Sequence, residues 1–438
     1  MNKKTNTCYK QDDKIEESFT PPTPLFLAPT FSNLKNKLFR GSLRNVAWMS
    51  FCWSCSSLMV FSLLPIFIVE VLGASKTKLG FIEGVAIFTS FLFKVFAGVL
   101  SDYLKKRKPL ILAGSLLSLL IKPMFALAAS INWIFAARFI DRLSKGIRSS
   151  PTDALIADLS NERTRGKSFG LRQSLYTFGA VAGSLLASIL MYLSDHNYRL
   201  VFMCAIIPSL LSIYILQKRI KAPCIKSEIK DDKGSSIKSW KISHIKYLPS
   251  TYWKVLAIVS VLMLARFSEA FLTLRARDAS WPVHTIPLMI VFYDLIHASL
   301  SFPMGKLGDK FNKFHILFVG VFIFLLTHIS LLVFSSFFGV IIGIILLGIH
   351  LGMTQSILPA LVSSSVPSDL RGTAFALYYL VAGTSVLIGN WVAGFLSDTY
   401  GSSGPFYAGV FFTLLCLSLM ICLFRVNKSY SFNKNTVS

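Results

Sequence analysis

The sequence predicts an all-α, polytopic membrane protein: twelve transmembrane helices in two pseudo-symmetric six-helix bundles. Three observations lead there. Of 438 residues, 53% are apolar and only 15% charged, where a soluble domain holds about 25% charged residues. The apolar residues gather in blocks of about 20, the length that crosses a hydrocarbon core of roughly 30 Å. Residues of the first half also recur in the second at one fixed offset.

The spans are expected at 46–72, 79–100, 109–129, 132–157, 173–194, 200–217, 255–274, 284–304, 316–335, 338–362, 373–397 and 404–424. They divide the chain into an N-terminal cytoplasmic tail (1–45), a first bundle (46–217), a cytoplasmic linker (218–254), a second bundle (255–425) and a cytoplasmic tail (426–438). Lys and Arg sort by side. The tails and the even-numbered connections hold 33, the odd-numbered connections five (Lys76, Lys78, Arg199, Arg275, Arg277), and the spans seven. This bias places both termini in the cytoplasm. It also accounts for the net charge of +24 as topology, which excludes nucleic acid as the partner.

The tail KKTNTCYKQDDKIEESFTPPTP is polar and lacks the apolar core of a signal peptide. It is expected to be disordered. Residues 31–45 put Phe31, Leu34 and Leu38 on one helical face; they either lie along the inner membrane surface or form a plain basic linker. Of seven cysteines, Cys8 and Cys224 fall on the cytoplasmic side, where thiols stay reduced. Cys52 and Cys55 have CxxC spacing inside an apolar helix, where packing is expected rather than metal or redox use.

The linker, rich in Lys, Ser and Gly, separates related halves. GVLSD (98–102) aligns with GKLGD (305–309). Gly146, Ala154, Leu155, Arg165, Gly166, Phe169 and Leu171 align with Gly352, Ala360, Leu361, Arg371, Gly372, Phe375 and Leu377, all at an offset of 206. Two repeated six-span halves suit alternating access, with a solute bound between them near the midplane.

The stretch GVLSDYLKKRK (98–108) resembles the loop signature of the major facilitator superfamily, G-x-x-x-D-x-x-G-R-[RK], with Lys105 in place of the glycine. Gly305, Asp309, Asn312 and Lys313 repeat it in the second half. RLSKGIR (142–148) resembles the family's R-x-x-x-G pattern. EGVAIFTSFLFKVFAGVLSD (83–102), DRLSKGIRSSPTDALIAD (141–158) and RFSEAFLTLRARD (266–278) are similar to a bacterial subgroup of uncharacterised transporters. The exporter pattern G-x-x-x-G-P appears only as Gly179-Ala-Val-Ala-Gly183-Ser184, without its proline. The resemblance implies secondary transport of a small molecule with no cofactor, in a bacterial cytoplasmic membrane and as a monomer. Motif residues Gly98, Arg107 and Gly305, with Asp102, Asp158, Arg165, Asp309 and Arg371 near the cytoplasmic ends, are the expected gate and hinge contacts.

Charge inside a bilayer is costly, so intramembrane ionisable residues face cavities or partners. Arg138, Asp141, Arg142, Lys145 and Arg148, three or four apart, form one stripe of the fourth span. Glu83 and Lys94 share a face of the second span, and Arg266 and Glu269 are spaced to pair in the seventh. The expected substrate-binding set is Lys94, Lys122, Arg138, Asp141, Arg142, Lys145, Arg148 and Arg266; the expected proton-coupling acids are Glu83, Glu269 and Asp294. Arg148, Asp153 and Asp158 correspond to Thr354, Pro359 and Ser364, so the second half lacks these charges. Pro151 is expected to kink the fourth span. Beyond it, Asp153 belongs with the gate. His297 and His350 are expected to pack rather than bind metal.

Because cations outnumber carboxylates in the deep set, the favoured substrate is a small anion such as a carboxylate or a carboxylate-type metal chelate, since Arg can bind it bidentately. Burial would raise the acids' affinity for protons and make proton coupling feasible. Efflux of a drug or metabolite is the alternative. The sequence holds no phosphate-binding glycine loop, HExxH or nucleophile elbow, which argues against an enzyme. A receptor would not need two repeated halves with a charged interior.

Overall fold

The computed structural model describes residues 29–104, 107–159, 165–220, 242–334, 336–355, 357–367 and 370–434. These residues are helical with no strand. Most of the linker lies outside them, as do the tail before residue 29 and the side chains of 29–40.

In the first half, α1 (Pro29–Phe61) is followed by a short α2 (Leu64–Ile66) and a π-helical turn, Phe67–Val71. Then come α3 (Lys76–Leu104), α4 (Arg107–Ala126), α5 (Ile131–Leu159), α6 (Arg165–Leu193), α7 (Tyr198–Cys204) and α8 (Ile206–Arg219). The second half contains α9 (Ser250–Ala265), α10 (Ala270–Asp278), α11 (Ile286–Lys310), α12 (Lys313–Val333), α13 (Phe337–Thr354), α14 (Ile357–Ser364), α15 (Arg371–Tyr400) and α16 (Gly404–Lys434). Taking α1 with α2, α7 with α8, α9 with α10, and α13 with α14 gives twelve spans in two sets of six.

Three details bear on the sequence expectation. First, α1 begins at Pro29, so residues 31–45 continue the first span as helix. Second, α5 runs unbroken past Pro151; a single proline removes one backbone bond but need not end a packed helix. Third, the seventh span is interrupted at Arg266–Glu269, between α9 and α10. The freed Ser268 amide donates to Asn390 Oδ1 at 2.7 Å. The first span breaks at the matching place, Ser62–Leu63, next to Pro65 at the start of α2.

Within each half a glycine lets two spans touch by their backbones. A Cβ on Gly183 of α6 would strike the Cys55 carbonyl of α1, and one on Gly389 of α15 would strike the Leu264 carbonyl of α9. Gly183 and Gly389 are 206 apart, so the repeat preserves this contact. Gly179-x-x-x-Gly183 thus has a packing role, as small-xxx-small pairs do in membranes.

The two halves close on each other at the end carrying the odd-numbered connections. One apolar cluster there joins Leu64, Phe67 and Leu79 of the first half to Phe271, Val283 and Phe406 of the second. Polar latches reinforce it. Asp398, at the end of α15, accepts from the backbone amides of Lys76 and Thr77 at 2.8 Å each, and from the Thr77 hydroxyl. Arg277 pairs with Glu70 at 2.6 Å, and the Ser188 hydroxyl donates to the His284 carbonyl.

Candidate functional site

Behind this closure lies a cavity of about 690 Å³ between the halves. Its first-half wall is built by α1, α3, α5 and α6 and bears Glu83, Arg138, Asp141, Arg142, Lys145, Arg148 and Tyr176. Its second-half wall bears Arg266, Glu269, Tyr293, Asp294, His328 and Gln355. Because α5 is continuous, its period stacks Arg138, Asp141, Arg142, Lys145 and Arg148 as one ridge along the cavity. The break between α9 and α10 instead turns Arg266 and Glu269 to the cavity from a non-helical turn.

Apart from Arg266 and from Asp141, which is buried on the α5 ridge with Oδ1 lacking a hydrogen bond among the described residues, the charges fall into three groups. Glu83 and Arg138 form a bidentate pair, Nε to Oε1 at 2.9 Å and Nη2 to Oε2 at 2.6 Å, almost wholly buried. Ser268 adds a bond to Glu83 from the other half at 3.2 Å. Glu83 therefore stands as a structural partner as well as an acid. Arg142, Lys145 and Arg148 form the second group: among the described residues their side chains have no hydrogen bond or ion pair. Their aromatic neighbours are close, with Arg142 5.3 Å from the centroid of Phe61 and Arg148 4.9 Å from that of Trp53. The third group is the second-half acids. Glu269 accepts from the Tyr293 hydroxyl, while Asp294 makes no hydrogen bond or ion pair among the described residues.

Two expectations are corrected. Lys122 is not at the cavity surface; it is fully buried on α4, 5.3 Å from the Phe61 centroid, with Nζ lacking a hydrogen bond among the described residues. Its neighbour Phe61 lines the cavity, and Lys122 does not. Arg266 and Glu269 do not pair, because the helix that would align them is broken; Arg266 donates to Thr354 Oγ1 at 3.2 Å instead.

Asp153 pairs within the first half, with Arg172 at 2.6 Å. Arg107 starts α4, half-buried. The side chains of Lys94, Gly98, Asp102, Asp158, Arg165, Gly305, Asp309 and Arg371 lie outside the described residues. His350 is buried, with Nδ1 2.8 Å from the Gly320 carbonyl and its ring stacked on Phe324 at 3.9 Å. Cys52 and Cys55 are buried free thiols, and no group of three or more ligating side chains among the described residues could hold a metal.

The sequence reading missed Phe61, Trp53, Tyr176, Tyr293, Ser268 and Thr354. Aromatic and hydroxyl residues are ordinary in apolar spans, so only their contact with charge marks them.

A family model described as Major Facilitator Superfamily matches residues 46–275 and 255–437. The chain belongs to that superfamily and is a polytopic membrane transporter. Among relatives, it is 29% identical over 362 residues to an uncharacterised MFS-type transporter of Methanocaldococcus jannaschii, covering 80% of this chain and 87% of the relative. It is 24% identical over 394 residues to a gentisate transporter of Corynebacterium glutamicum, covering 88% of each. Among solved structures, the nucleoside transporter NupG superposes with a TM-score of 0.68 at 12% identity, over 88% of this chain and 99% of that one.

Proposed function

We propose that this transporter moves a small, polar anion across a bacterial cytoplasmic membrane by proton-coupled alternating access, as a monomer with both termini in the cytoplasm. The observation that carries the reading is the cationic ridge of Arg142, Lys145 and Arg148, which lines the cavity without a carboxylate partner among the described residues. The ridge holds one buried carboxylate, Asp141, against these three cations; a surplus of buried positive charge is unfavourable, and an oxyanion balances it. A relative named as a gentisate transporter is in keeping with an organic anion. Asp294 and Glu269, which form no ion pair among the described residues, are the coupling acids. Glu83 is the less available of the three because Arg138 occupies both its oxygens.

The test combines two assays. Purified protein is melted with citrate, phosphate, aromatic carboxylates and ferric chelates beside lipophilic cations, and any stabilising anion is then followed into proteoliposomes with and without an inward proton gradient. Stabilisation by anions, and accumulation that depends on the gradient and on Asp294 and Glu269, is expected. Stabilisation by lipophilic cations alone would favour a second reading, drug or metabolite efflux, which draws on the aromatic lining by Phe61, Phe91, Phe267 and Phe324.

A further inference from the structure

The cavity arginines are held in two different ways. Arg138 is held by its edge as well as by a ring: two of its donors are spent on Glu83, and its guanidinium carbon lies 4.0 Å from the Phe61 centroid. Arg142 and Arg148 are held by a ring. The Arg142 guanidinium carbon is 5.3 Å from the Phe61 centroid, and that of Arg148 is 4.9 Å from Trp53. A guanidinium is planar and carries its five N–H donors around its rim. A carboxylate anchor consumes those donors, whereas an aromatic anchor attracts the cation by its π face and consumes none.

From this we infer that Phe61 and Trp53 are positioning residues for the anion site. They hold Arg142 and Arg148 in place while leaving the guanidinium donors free for the transported oxyanion. Trp53 does not line the cavity and is 7% exposed, so it acts through Arg148 rather than on the solute. Arg148 Nη1 and Arg142 Nε are buried without a partner among the described residues, which is the condition expected of donors awaiting a ligand. Phe61 also bears Lys122 and Arg138, at 5.3 and 4.0 Å. Its ring is braced edge-on by Phe125, with centroids 5.8 Å apart. It thus meets three cations, Lys122, Arg138 and Arg142.

The inference rests on the anion reading above, and its test separates the two. Citrate and inorganic phosphate are the probes, titrated at constant ionic strength against the melting temperature of the full chain in detergent. Arg148→Gln tests the anion site itself. Phe61→Leu and Trp53→Leu test the anchors by removing a ring; Phe61→Tyr and Trp53→Phe keep a ring, and Trp53→Phe shares part of the lost volume of Trp53→Leu.

The expected result is that each leucine variant weakens citrate binding about three- to tenfold, the size of an ordinary cation–π contact, while the aromatic replacements bind within about twofold of wild type. In proteoliposomes the leucine variants should raise KM with little change in kcat. If Arg148→Gln abolishes binding but the leucine variants bind like wild type, the anchoring inference is wrong and the anion site stands. If the aromatic replacements lose as much as the leucine variants, the residues act by packing alone and the inference is again wrong. If neither probe stabilises the wild type, both readings fall.

Discussion

The fourth span and its repeat partner, the tenth, occupy equivalent places and could hardly differ more in chemistry. At the offset of 206, Arg138, Asp141, Arg142, Lys145 and Arg148 of α5 fall on Ile344, Leu347, Gly348, Leu351 and Thr354 of α13. Conversely, Arg266 and Glu269 of the second half fall on Val60 and Leu63 of the first. The helix breaks at Ser62–Leu63 and Arg266–Glu269 are shared, and so is the glycine that seats the fifth span on the first and the eleventh on the seventh. The backbone architecture is thus symmetric, while the charge is not. What the duplicated fold requires can be read from what both halves keep; under the anion proposal, the solute's partners are sought among what only one half has.

Several substitutions would break or sharpen this contrast. The largest effect is expected at the buried pair. Glu83→Gln leaves Arg138 buried without its counter-ion and should destabilise the protein by about 3–5 kcal/mol, whereas replacing both residues with apolar ones of similar volume should recover most of it. Thermal melts of the single and double variants check this; equal loss in both would remove the pair from the account.

Next come the symmetric glycines. Gly183→Ala and Gly389→Ala should each cost about 1–3 kcal/mol through overpacking, and by similar amounts. A large disparity between their melting temperatures would argue against equivalent roles in the two halves.

The Asp398 latch has no charge-for-charge counterpart on α6, and its loss should act on conformation. Asp398→Ala gives up charge-assisted bonds to two amides, worth roughly 1.5–3 kcal/mol each before water replaces them. Faster labelling of a Ser268→Cys reporter by an impermeant maleimide, added from the side of the odd-numbered connections, is the expected result. An unchanged rate would mean that the apolar cluster alone keeps that end shut.

The smallest effect belongs to Arg172→Gln. Its pair with Asp153 is partly exposed, with side-chain exposures of 21% and 37%, so at most about 1 kcal/mol is at stake.

Much of the fold was legible in the sequence because membranes write it in plain terms: apolar length, basic flanks and repeated glycines. The ridge of α5 was legible for the same reason, since five charges at helical spacing can only share a face. The break at Arg266–Glu269 was not. It contains neither proline nor glycine and is held by Asn390, 122 residues away, so no local rule signals it. By contrast, the break after α13 has a local cue. Pro359 cannot donate to the carbonyl of Gln355, where α13 ends. Lys122 was misplaced because its apolar helix shows a buried charge without showing whether the cavity reaches it; Phe61, 5.3 Å away, lines the cavity and Lys122 does not. The aromatic anchors were invisible for the complementary reason: the chain has 37 phenylalanines, and only three-dimensional contact distinguishes the one that holds three cations.

The central claim is that the first half alone supplies the anion's partners. It is tested most directly by citrate affinity in three proteins: wild type, Arg148→Gln on the ridge and Arg266→Gln on the opposite wall. Losing a charge-assisted contact of about 1.5–3 kcal/mol should weaken binding roughly ten- to a hundredfold in Arg148→Gln. Arg266→Gln, whose guanidinium is turned to Thr354, should stay within about threefold of wild type. A loss in Arg266→Gln equal to or greater than that in Arg148→Gln would contradict the claim.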